Sequence, residues 1–167
     1  MILICYDGSE DARAAVRSAG ALFSGQAAIV LTVWQPYIQA LEESTLGFGM
    51  VPPLEDSAAI DKASRQRAEE IAHEGAELAE AAGLDAEPRA GEQASTPARA
   101  ILGEAEKLAA EAIVMGSRGR TGLKSLVLGS VSHEVIQHAD RTVVVVPSPA
   151  VAASRARKVQ EDAVAVG

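Results

Sequence analysis

Residues 111–137 read EAIVMGSRGRTGLKSLVLGSVSHEVIQ. The run EAIVMG is apolar on consecutive residues and closes on a glycine, as a strand tip does. GSVSHEVIQ then opens a helix, with Ser130 placed to cap it and Val131, Val135 and Ala139 on its inward side. Between strand and helix, residues 116–130 hold four glycines, three serines and three basic residues. A helix N-terminus presents unpaired N–H groups and the positive end of the helix dipole, which favours an anion. Glycines let backbone approach such an anion and adopt positive φ. Ser130 and Ser132 add hydroxyl donors, and Arg118, Arg120 and Lys124 add charge. On composition alone, a phosphate cradle and a packing loop both remain open.

Working outward, ILICY at 2–6, AAIVLTVW at 27–34 and TVVVVP at 142–147 are further continuous apolar runs. Such runs fit strands covered on both faces, as in parallel sheets. DAEPRAG at 85–91 carries Pro88 and is expected at a sheet edge. Helical periods separate the runs. One holds Ala12, Ala15, Val16, Ala19 and Leu22 behind a Ser9 cap, and a longer one runs from Ile60 to Ala82. A third follows Thr96-Pro97, a cap with proline at the first helical position. Five strands alternating with four helices predict an α/β fold: a single open parallel five-stranded sheet with helices on both faces, Rossmann-like. Ligands of such sheets bind beyond the strands' carboxyl ends, where strand order reverses. That directs attention to Asp7, Gln35 and the Gly116 loop.

At 167 residues the chain fits one domain. Only 3% is aromatic and nearly half is apolar, so the core must be aliphatic and alanine-rich. A formal charge of −8 argues against a nucleic-acid partner and gives no footprint for an anionic membrane. Cys5 is the sole cysteine, which removes any internal disulfide framework. No apolar run approaches 18 residues, and the start has neither basic region nor cleavage site. A cytoplasmic location is expected. Residues 36–56 form a long connection at the carboxyl edge, flexible and placed to act as a flap, and 148–167 read as a solvated C-terminal tail.

Known motifs help by exclusion. Lys124 follows Leu123, not glycine, so no Walker A loop is present, and the first βα turn reads Asp7-Gly8-Ser9 rather than a dinucleotide fingerprint. His133 and His138 are five apart, the wrong spacing for a zincin helix, so no metal site is expected there. The spacing that does match is G-x2-G-x9-G-[ST], at Gly116, Gly119 and Gly129-Ser130. This resembles the nucleotide-binding signature of the universal stress protein family. ILICYDGSEDA, VLTVW, AIVMGSRGRTGLKSLVLGSVSHEVIQHAD and VVVVP are similar to successive segments of that family, covering 1–147 apart from 36–56. Two departures are Tyr6, where a small apolar residue is usual, and Arg141-Thr142, where Cys-Pro is frequent.

The resemblance implies a nucleotide site. Asp7 would face the adenosine end and the backbone at Val33 the adenine. Met115, Gly116 and Gly119 would flank ribose and phosphates, with Gly129, Ser130, Val131 and Ser132 holding the phosphates; Arg118 supplies charge beside them. Some members of the family lack the glycines and do not bind ATP; this chain keeps them. The expected ligand is ATP, with or without Mg2+, and AMP or cyclic AMP are the alternatives. The resemblance further implies a homodimer through the last strand, at Val143 and Val145. No general base is visible, so the reading is a nucleotide-responsive stress or signalling switch with at most slow ATP hydrolysis or autophosphorylation. The rival is a dimeric interaction protein with an empty pocket. The protein partner is not legible.

Overall fold

The computed structural model describes residues 1–44, 57–93, 95–120 and 128–165. In chain order the elements are β1 (Ile2–Cys5), α1 (Glu10–Leu22), β2 (Ala27–Trp34), α2 (Tyr37–Ser44), α3 (Ser57–Ala81) and β3 (Asp85–Glu92). They continue with α4 (Pro97–Lys107), β4 (Ala112–Gly116), α5 (Ser130–His138), β5 (Thr142–Val146) and α6 (Pro149–Ala165). The strands form one sheet in the order β3-β2-β1-β4-β5, and every pairing is parallel. The chain thus winds outward in both directions from β1, and strand order reverses between β1 and β4.

Alternation along the central strand divides the core. Ile2, Ile4 and Tyr6 point to one face, where Ala12, Ala15, Val16 and Ala19 of α1 and Ile71, Ala76 and Ala79 of α3 cover them. Leu3 and Cys5 point to the other, under Ala98, Ile101 and Ala105 of α4 and Val135 of α5. Both faces being covered explains why the strands read as unbroken apolar runs. The helices meet the sheet through alanines, the close approach that an aromatic-poor composition requires. Each fully buried Ile or Val in this sandwich stabilises the fold by roughly 1.5–3 kcal/mol.

Local signals act as the residue types dictate. Ser9 Oγ accepts from the Ala12 N–H at 3.2 Å and caps α1; Thr96 Oγ1 does the same for α4 through Arg99 N–H, also at 3.2 Å. Pro88 pairs opposite Val30 on edge strand β3, where its missing N–H is tolerated. Arg141 donates to the carbonyls of Ala105 at 2.7 Å and Ala110 at 2.9 Å, tying the end of α4 to the entry of β5.

One expectation needs correction, and two segments hold more helix than expected. Ser130 does not cap α5: Gly129 is the N-cap, without a side-chain cap bond, and Ser130 begins the helix. The described part of the 36–56 connection opens with α2, whose first residue donates its N–H to Asp61 of α3 at 2.6 Å; residues 45–56 lie outside the described residues. The supposed tail is α6 for most of its length. Among the described residues the helices therefore number six rather than four.

Candidate functional site

The switch point between β1 and β4 opens into a cavity of about 500 Å3, within the usual range of roughly 300–1,000 Å3 for small-molecule sites. The tips of β1 and β2 bring Asp7 and Val33 to it. Strand β4 and the loop after it bring Met115, Gly116, Arg118, Gly119 and Arg120. The start of α5 supplies Gly129, Ser130, Val131 and Ser132. All ten candidate residues from the sequence thus line one cavity. Lys124 lies outside the described residues.

A buried serine holds this arrangement. Ser117, fully buried, donates its N–H to Val146 O at 2.8 Å, which locks the loop's start onto β5. Its carbonyl accepts from Gly129 N–H at 2.8 Å and from Ser132 Oγ at 3.0 Å, which fixes the start of α5. Its hydroxyl donates to Asp11 Oδ2 at 2.7 Å, reaching the first turn of α1. Burial pushes the Asp11 carboxyl up, but hydrogen bonds from Ser117 and Ser148 and the nearby Arg118 charge outweigh it and hold it below the usual range. The first-turn N–H groups of Ser130, Val131 and Ser132 have no intrahelical acceptor by construction, and they begin where the cavity lies.

The glycines do different things from one another. Gly116, Gly119 and Gly129 all have ordinary φ, so the expectation of positive φ in this loop fails for them; at this edge it is Gly8, with φ 79°, that takes it. A Cβ at Gly116 would stand 2.8 Å from the Asp11 carbonyl carbon and 2.9 Å from the Ala12 nitrogen. That glycine lets α1 lie against β4. A Cβ at Gly119 would meet Asp7 Oδ2 at 2.8 Å, whereas one at Gly129 would find only ordinary contacts of 3.5 Å or more.

Asp7 serves the loop as well as the cavity. Its carboxylate accepts from Ser9 N–H at 3.0 Å, the turn expected of Asp-Gly-Ser, and from Arg120 N–H at 3.2 Å. Tyr6 is among the residues that line the cavity, but its ring packs on the α1/α3 face, where a Cβ on Gly75 would collide with it. Its hydroxyl donates to Glu74 at 2.6 Å, and Arg13 bridges the pair. Cys5 also lines the cavity; burial, then the Asp7 charge, pushes its thiol up to about 12, which keeps it a neutral wall.

Arg118 and Gln35 both line the cavity; the buried Arg118 Nε forms an ion pair with Asp11 Oδ2 at 3.8 Å, and the buried Gln35 Nε2 has no hydrogen-bond partner among the described residues. They stand just past the tips of β4 and β2, the strands on either side of β1. Sequence reasoning placed Gln35 near the site but did not select it, nor Leu31, Pro97 and Ile101, which also line the cavity. The available signal was the two-residue period of β2, which sets Leu31, Val33 and Gln35 on one face.

A doubly wound α/β domain with its cavity at the strand-order reversal belongs to the Rossmann-like class of binding folds. Within that class, the chain belongs to the universal stress protein family, whose model matches residues 1–147. A Thermus aquaticus relative, the universal stress protein in the QAH/OAS sulfhydrylase 3' region, is 34% identical over 149 residues, covering 87% of this chain and 96% of its own. Universal stress protein MJ0531 of Methanocaldococcus jannaschii is 49% identical over 53 residues, but that match spans only 31% of its length. Among solved structures, MJ0577, the subject of a structure-based assignment of biochemical function, shares 25% identity at a TM-score of 0.69, covering 87% of this chain and 94% of that one. A universal stress protein solved in complex with cAMP has the same fold at a TM-score of 0.60 and 24% identity, covering 88% and 96%. Helix α6 lies beyond the matched residues. Among the described residues no helix is long and apolar enough to cross a membrane.

Proposed function

We propose that the protein binds an adenine nucleotide, ATP, in the switch-point cavity and acts as a cytoplasmic nucleotide-responsive stress switch. The observation that carries this is the cavity at the strand-order reversal, where Arg118 and the start of α5 meet the apolar tip of β2. Arg118, beside the start of α5, suits an anionic group. Gln35, among apolar walls, suits a neutral heterocycle. A nucleotide carries both. In this reading Gly129 to Ser132 hold phosphates, Asp7 and Val33 face the nucleoside, and Mg2+ accompanies a triphosphate.

Slow or absent hydrolysis follows from where the nearby carboxylates are engaged. Asp7 accepts from Ser9 and Arg120, Asp11 from Ser117, and Glu134 from Thr96 Oγ1 at 2.8 Å. These bonds tie each carboxylate to the fold, which weighs against the water-orienting role that efficient phosphoryl transfer requires. Turnover should therefore fall far below about 1 per second. The output would be a changed surface, and protection of residues 36–56 from protease by ATP would report it.

The relative solved with cAMP supports a second reading, cyclic AMP in the same cavity. Mass spectrometry of ligand released from freshly purified, denatured protein distinguishes the two. ATP is expected; cyclic AMP alone would favour the second reading, and no nucleotide at all, with none bound on titration, would leave an interaction protein with an empty pocket. For assembly, β5 is an edge strand with Val143 and Val145 half-buried, suited to pair with a second copy. Sedimentation should give a dimer that Val145→Lys weakens. A monomer at tens of micromolar would refute that pairing.

A further inference from the structure

We infer that Asp11 is a positioning residue for the phosphate end of the cavity: it holds the Nε edge of the Arg118 guanidinium from behind, so that the remaining donors meet an anion beside the start of α5. This rests on the nucleotide reading of the cavity and adds the residue that aims its cation.

Asp11 sits in the first turn of α1, where any carboxylate gains from the helix dipole. That role needs no burial, as the neighbouring Glu10 shows: it is exposed and pairs with Arg13 at the surface, 3.6 Å away. Asp11 is instead 5% exposed and turned into the protein. Its carboxylate accepts from the Ser117 hydroxyl at 2.7 Å and from the N–H and hydroxyl of Ser148, itself buried at the head of α6. Donors just past β4 and β5 thus fix the carboxylate from two sides. A carboxylate taken this far out of water calls for a countercharge. The cation 3.8 Å away is Arg118 Nε.

Arg118 is held where an anion would arrive. A Cβ on Gly129 would lie 3.5 Å from its Cα, so its backbone runs against the N-cap of α5. The residue lines the cavity, and its side chain is 18% exposed although Nε is sealed. The accessible part is therefore not the nitrogen that faces Asp11. A guanidinium is planar and carries five donors in a fixed fork, so holding one edge sets where the others point. Arg120 offers the contrast: its backbone N–H is tied to Asp7 at 3.2 Å, but the residue is exposed. An unheld arginine gives up side-chain entropy when it closes on a ligand, and one already clamped gives up less. The clamp selects Arg118 over Arg120 as the cation that serves the phosphates.

The test is a calorimetric titration of ATP into wild type, Asp11→Asn, Arg118→Lys and the double variant, each first checked for folding by thermal unfolding. Asp11→Asn keeps the shape and an acceptor for Ser117 but removes the charge that grips Arg118. Arg118→Lys keeps the cation but has no second edge for Asp11 to hold. Each should weaken ATP binding at least fivefold. The double variant should fall within twofold of the weaker single, because both changes remove one device. General structural damage would instead make the two losses multiply, and that result would overturn the inference. So would a loss smaller than fivefold in folded Asp11→Asn, or tighter binding, which would make Asp11 a competitor for Arg118. Wild-type crystals grown with ATP supply a second readout that needs no variant to fold. Arg118 should keep Nε toward Asp11 while its terminal nitrogens contact phosphate; an Arg118 swung off Asp11 would overturn the inference. If wild type binds no nucleotide, the underlying reading fails instead, and with it this one.

Discussion

Gly116 and Gly129 bracket one loop and look interchangeable in sequence, yet the fold needs the first and tolerates a side chain at the second. At Gly116 a Cβ would press into the backbone of Asp11 and Ala12, so this glycine sets the distance between α1 and β4. At Gly129 the protein leaves room for a Cβ, and the residue begins the helix whose N–H groups open on the cavity. One end of the loop is built for packing and the other is free for a ligand. A glycine motif therefore joins two physical demands, and only their geometry separates them.

Gly116→Val breaks the comparison at its stiff end. The obstacle is backbone, which cannot rotate away, so overpacking should cost about 3 kcal/mol of stability in denaturant unfolding. A variant as stable as wild type would contradict the packing role. Next in size is Ser117→Ala, which removes a hydrogen bond to the buried Asp11 carboxylate and should cost about 2 kcal/mol. The same pair sets a pH dependence. The Asp11 pKa is lowered in the fold, so its stabilisation is fully present above the unfolded value of about 3.9 and is lost as pH falls through the lower folded value. Asp11→Asn should flatten that acid limb, measured as unfolding free energy against pH; an unchanged slope would show that the carboxylate is not held as described.

At the other end, Gly129→Val should leave stability within about 1 kcal/mol, the scale of a poorer N-cap. It should still weaken ATP binding at least tenfold, or about 1.4 kcal/mol, in a calorimetric titration. Unchanged affinity would sink the phosphate role of this helix start. The smallest effect is expected at Tyr6→Phe. Losing the bond to Glu74 should cost about 1 kcal/mol and leave nucleotide affinity unaltered, because the ring packs on the face opposite Val33 and Gln35.

These contrasts mark how far sequence reached. The strands were legible because helices cover both faces, so β1, β2, β4 and β5 show as unbroken apolar runs. Helices α1, α3 and α4 showed through their apolar spacing and, for α1 and α4, through the caps Ser9 and Thr96. Helix α6 was missed because PAVAASRARKVQEDAVA is helical by the propensity of its Ala, Arg, Lys and Gln, with no continuous apolar stripe to reveal it. Helix α2 is eight residues long and sits directly behind a proline, too little for periodicity to register. The site's location was legible from the glycine spacing and the strand order. The separate duties of Gly116 and Gly129 were not, since the first depends on how closely α1 approaches β4. Ser117 was hidden for the same reason: its partners lie on α1, α5 and β5, far apart in the chain.

A crystal structure of the protein grown with ATP tests the central claim most directly. The account predicts the base between Val33, Ile101 and Gln35, and the phosphates against the backbone of Gly129 to Ser132 with Arg118 turned toward them. Nucleotide bound elsewhere, or phosphates directed away from the start of α5, would contradict it.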